Sequence, residues 1–83
     1  MTNEEIKTMI EGGLAGAQAY ISGDGTHFLA RVICDAFAGL PLIKQHRMVY
    51  AALGNSMESA IHALSIQTYT VAEWDRQKAF QTL

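Results

Sequence analysis

The sequence predicts a single α+β (α/β) domain over residues 1–83, built as a three-stranded mixed sheet with helices packed on one face. Three observations lead there. Capping-box spacings, Thr2 with Glu5 and Thr70 with Glu73, stand before two helical segments. Two strand-like stretches flank the glycines of "SGDGTH", the pattern of a hairpin. A period-two stretch, "AIHALSIQTYT", follows a helical segment, so its strand returns through a crossover and pairs parallel to one hairpin strand. The order is helix, strand, strand, helix or helix pair, strand, helix.

The first helix starts at the Thr2 cap, carries Ile6, Met9, Ile10 and Leu14 at helical intervals, and weakens at Gly12 and Gly13. In "AQAYISGDGTHFLARVIC" the pair Asp24-Gly25 favours a tight turn between two short strands. Gly39 and Pro41 then interrupt the backbone, and Pro41 suits the first turn of a helix, where its missing N–H costs nothing. That helix sets Ile43, Arg47 and Tyr50 on one side, with Met48, Val49, Ala52 and Leu53 beside them, and breaks at Gly54-Asn55. The third strand is expected over Ala60–Thr70, with His62, Leu64, Ile66 and Thr68 sharing a face. The last helix carries Trp74 and Phe80, with Arg76 and Lys78 toward its negative end.

Composition narrows the function. Eighty-three residues support one modest core rather than an enclosed multi-step active site, so an enzyme is not expected. Hydrophobic residues are 49% and charged ones 17%, enough apolar material for the chain to fold unaided. A net charge of −2 does not attract polyanions as a whole, although a local basic patch still can. Cys34 is the sole cysteine, which excludes an internal disulfide and suits a reducing compartment. With no apolar run near the ~20 residues of a membrane span, and acids where a secretory signal has bases, the expected location is the cytoplasm.

Three histidines, His27, His46 and His62, are the natural titrators near neutral pH. The commonest role of a lone histidine by an apolar strand is a half-buried ring satisfied by a backbone carbonyl or a helix cap. His46 lies between Lys44 and Arg47 on a helix, where a solvated or phosphate-facing role is more natural than a metal site. His27 opens the second strand after a glycine-rich turn and is placed to swing toward a bound ion. Cys34 reads as a small strand-end hydrophobe, and neither "GDGTHF" nor "EGGLAG" has phosphate-loop spacing.

The order and spacing of three pieces resemble the BolA family: "FAGLPLIKQHRMVYAAL", then "IHALSIQTYTVAEW", with the hairpin "ISGDGTHF" similar to its short-loop bacterial branch. The topology is also that of type II KH-like folds. The resemblance implies a partner of monothiol glutaredoxins in iron–sulfur trafficking, sharing a [2Fe–2S] cluster with a glutaredoxin cysteine and a glutathione thiol. It implies His62 as the shared ligand. Many family members have a cysteine or histidine in the hairpin loop; here Asp24 stands there, a hard oxygen donor, and His27 is the substitute expected. One cysteine and two strand-associated histidines cannot hold such a cluster alone, and imidazole in place of thiolate raises its potential.

The competing expectation is a KH-like nucleic-acid-binding transcriptional regulator, with Lys7, Lys44, His46 and Arg47 facing phosphates. Against it, Gly39 to Leu42 reads "GLPL" and lacks the second glycine of the KH loop. Lys44, His46 and Arg47 then suit contact with a partner protein. A homodimer acting as a structural adaptor is a third possibility.

Overall fold

The computed structural model describes residues 1–56 and 63–81. Thr2 caps α1 (Asn3–Gly13) as its spacing anticipates: the Thr2 hydroxyl accepts from the Glu5 amide, and the Glu5 carboxylate accepts from the Thr2 amide, each at 3.1 Å. Ile6 and Ile10, four residues apart, are both fully buried, which contributes roughly 1.5–3 kcal/mol per side chain. Gly13 does more than weaken the helix. A Cβ there would lie 2.9 Å from both Cα and Cβ of Ala52, so only glycine admits this close approach to the second helix.

Strand β1 (Gln18–Gly23) pairs antiparallel with β2 (Phe28–Ile33), from Gln18↔Ile33 to Gly23↔Phe28. The connection is a four-residue loop, Asp24 to His27, rather than a two-residue turn at Asp24-Gly25. Gly23, at φ 151°, closes it, and a side chain there would collide with the His27 carbonyl. A short 3₁₀ turn (Asp35–Phe37) leads to α2 (Leu42–Leu53), with Pro41 at the N-cap itself and Gly54 ending the helix. The third strand, β3 (Leu64–Tyr69), pairs parallel with β2, from Phe28↔Leu64 to Ile33↔Tyr69, giving the mixed order β1-β2-β3. Among the described residues it begins at Leu64, so Ala63 of the expected strand stands just outside it. The 60–62 part of the expected strand lies outside the described residues.

The two helices α1 and α2 lie on the face formed by Ala19, Phe28, Ala30, Val32 and Leu64, where they seal Ile6, Ile10, Phe37, Val49 and Leu53. The final helix, α3 (Val71–Gln81), starts from the second capping box: Glu73 accepts the Thr70 amide at 2.8 Å, and Thr70 accepts the Glu73 amide at 3.3 Å. It leans on the opposite parity of the sheet. Trp74 stacks on Tyr20 (5.4 Å between centroids, 16°) and meets Tyr69 edge-on (5.2 Å, 62°). That contact covers one end of the outer face, where Ile33 is only 2% exposed.

Candidate functional site

The parallel register fixes where the site can form. Phe28 and Leu64, the first residues of β2 and β3, are register partners, so the segments feeding both strands arrive at one end of the sheet. His27 ends the first of those segments. His62 precedes Leu64 by two residues in the sequence and lies outside the described residues, so covalent continuity alone ties it to β3.

The hairpin loop is organised by Asp24. One oxygen, Oδ1, accepts from the Thr26 amide (2.9 Å), the Thr26 hydroxyl (2.7 Å) and the His27 amide (3.1 Å), while the Asp24 amide donates to the His27 carbonyl at 3.3 Å. The Thr26 hydroxyl first, then the two amides, hold the Asp24 carboxyl far below the usual carboxylate range. Asp24 is therefore the loop's internal clasp. It pins the backbone of His27, whose ring is exposed with Nδ1 3.4 Å from the Thr26 hydroxyl. A metal ion would find the ring accessible and its root fixed.

The other sequence candidates fall elsewhere. Cys34 is 2% exposed and donates from Sγ to the Ala15 carbonyl at 3.5 Å, so it is the sealed strand-end hydrophobe expected and not an available thiolate. Lys44, His46 and Arg47 share α2; the two cations are exposed beside Leu42 and Ile43, which are 62% and 61% exposed. The His46 ring is half-buried, and its Nε2 is buried with no hydrogen-bond partner recorded among the described residues. Lys7 does not join that patch. It pairs with Glu11 at 2.8 Å, donates to the Ala19 carbonyl at 2.9 Å and sits 5.6 Å above the Tyr20 ring, at the β1 edge. Among the described residues no group of three His, Cys, Asp or Glu side chains could hold a metal ion, and no helix is long and apolar enough to cross a membrane.

Two residues escaped the sequence reading. Gln45 donates to the carbonyls of Phe37 (3.2 Å) and Leu40 (2.9 Å) and accepts from the Thr68 hydroxyl, locking the Gly39-Pro41 bend to β3. Arg31 donates Nε to Gln67 Oε1 at 3.2 Å across the parallel pair. Both partnerships join residues far apart in the chain, so no local spacing signals them.

The model of the BolA-like protein family matches residues 8–73. The chain belongs to the BolA family. It is 35% identical over 79 residues to the acid stress protein IbaG of Escherichia coli K12, covering 94% of each chain. It is also 35% identical over 54 residues to the DNA-binding transcriptional regulator BolA of the same organism, covering 65% of this chain and 51% of that one. A solved BolA protein homologue from Coxiella burnetii is 46% identical, with a TM-score of 0.81 over 90% of this chain and 97% of that one. The short-loop resemblance and the mixed three-stranded fold are thus both borne out.

Proposed function

We propose that this protein is a non-enzymatic carrier whose cargo is a [2Fe–2S] cluster, shared with a monothiol glutaredoxin and glutathione, with His62 as ligand and His27 as the second candidate on this chain. The observation that carries the reading is the Phe28↔Leu64 register. It brings the entrance of β2, with His27 exposed on a clasped loop, to the same sheet end as the entrance of β3, the strand that His62 precedes in the sequence. The donor set fits a shared site and not a private one. A [2Fe–2S] centre takes four ligands, the only cysteine is sealed, and imidazoles supply at most two, so the remaining thiolates come from the partner and glutathione. The exposed cations Lys44 and Arg47 are free to speed encounter with an acidic partner surface.

The test is reconstitution without oxygen. The protein is mixed with a monothiol glutaredoxin, glutathione, iron and sulfide, and passed through a sizing column. The reading expects one coloured species containing both proteins, dependent on each component. Colour that follows the glutaredoxin alone would refute it.

The relative that is a DNA-binding transcriptional regulator favours a second reading, in which Lys44 and Arg47 meet phosphates. With Lys7 engaged at the β1 edge, two exposed cations remain in that patch, and labelled DNA measured across a salt series should give a slope near −2. Binding that persists at physiological salt would promote this reading.

A further inference from the structure

The outer face of the sheet carries a cation held by one hydrogen bond across β2 and β3. Arg31 sits at its centre, with Tyr20 of β1 and Gln67 of β3 as register partners. Its Nε is donated to Gln67 Oε1, which is itself fixed by the Tyr69 hydroxyl at 2.9 Å. The guanidinium is thus oriented from one side, with one of its five N–H donors engaged among the described residues. The two ion pairs among those residues are Lys7–Glu11 and Asp75–Lys78, and Arg31 is in neither. An arginine preset in this way is built for a planar anion, most simply a carboxylate gripped by two parallel N–H groups.

The surroundings select the size of the ligand. A stacked nucleobase needs an unoccupied aromatic ring, and the Tyr20 ring already has Trp74 stacked on it at 5.4 Å and Lys7 over it at 5.6 Å. Toward the loop, the face continues through Leu29, whose register partners are Ser22 and Ser65. His27 lies two residues beyond Leu29, four from Arg31, which at about 3.3 Å per residue places their backbones roughly 13 Å apart. In an extended thiol tripeptide each terminal carboxylate lies roughly 7 Å from the central sulfur, two residues' reach. A tripeptide whose sulfur meets a cluster at His27 therefore brings a carboxylate within the span of the Arg31 side chain.

We infer that Arg31 is a binding residue for glutathione, gripping one of its carboxylates while the thiol serves the cluster. This rests on the proposed cluster-sharing function. Two measurements separate the inference from that function. In the first, the thiol concentration for half-maximal heterocomplex colour is compared for glutathione and its diethyl ester, whose carboxylates are masked. The glutaredoxin contributes equally in every sample, so the informative quantity is the ester-to-acid ratio. It should fall about 3- to 5-fold in Arg31→Gln, the scale of one exposed ion pair, and recover only in part in Arg31→Lys, which keeps the charge but not the two-pronged grip. No loss with either thiol, or equal losses with acid and ester, leaves the ratio unchanged and would overturn the inference, the latter assigning Arg31 to a carboxylate of the partner protein.

The second measurement uses the protein alone. S-methylglutathione, which cannot ligate through a thiolate, should shift the Arg31 Nε–H and Gln67 side-chain amide resonances, and its diester should not. No shift up to tens of millimolar would overturn the assignment even where the coloured complex forms normally. Failure of the coloured complex with wild-type protein would instead remove the cluster function and leave this resonance test to decide whether Arg31 binds the tripeptide.

Discussion

Replacing Glu11 with alanine should expose how the sheet's open edge is protected. Strand β1 is an edge strand, and Ala19 turns its N–H and C=O away from β2. Glu11 Oε2 accepts that N–H at 2.9 Å and Lys7 donates to the C=O at 2.9 Å, while the two side chains pair at 2.8 Å. A hydrogen bond to a charged acceptor contributes ~1.5–3 kcal/mol when desolvated; with Glu11 about one-third exposed, about 1 kcal/mol remains. The i,i+4 ion pair adds about 0.4 kcal/mol. For 83 residues the unfolding entropy is roughly 0.17 kcal/mol/K, so Glu11→Ala should lower Tm by about 8 °C. Glu11→Gln keeps an acceptor for Ala19 and should cost about a third as much. The pH dependence has a definite sign. The Lys7 ammonium first, then the Ala19 amide, lower the Glu11 pKa below its ordinary 4.5, so its contribution is complete above that value and is lost as pH falls through the folded pKa. Thermal melts of the three proteins between pH 3 and 7 provide the assay. Equal losses in Glu11→Ala and Glu11→Gln, or a loss under 2 °C in the former, would refute the edge-capping argument.

Three further outcomes follow from the packing and the loop. Phe37→Ala empties a site that is 1% exposed, and urea unfolding should report a loss of about 3–5 kcal/mol. Asp24→Ala removes the acceptor shared by Thr26 and His27, so amide exchange at both residues should accelerate while the core amides of β2 stay unchanged. In the mixed complex, protons compete with iron for the imidazole lone pair, so visible absorbance should fall on acidification and return when the pH is restored under reconstituting conditions.

The fold was legible wherever a local rule sufficed. Thr2-Glu5 and Thr70-Glu73 each announce a helix within four residues, and the alternation Leu64-Ile66-Thr68 gives the inward face of β3. The limits of these elements were harder to read. Among the described residues, pairing of β3 with β2 starts at Leu64, opposite Phe28, where the partner strand itself starts, and no local pattern in β3 marks that point. Gly13 reads as a weak point in a helix, and only the neighbouring Ala52 shows it to be a contact.

The site divides in the same way. The exposure of His27 follows from its place beside a glycine-rich turn. The clasp formed by Asp24 follows Asp-x-Thr spacing, a common Asx pattern, and extends the turn role that Asp24-Gly25 signals. Arg31 with Gln67, and Gln45 with Thr68, are set by strand register and helix docking over separations of 36 and 23 residues. No window along the chain contains them.

The central claim is that an imidazole of this chain ligates iron that a second protein also holds. Visible absorption and circular dichroism of the reconstituted heterocomplex, recorded for wild-type, His62→Ala and His27→Ala, test it most directly. His62→Ala should abolish or markedly alter the cluster bands of the mixed species, and His27→Ala should change them less. Identical spectra and yield in all three proteins would contradict the account.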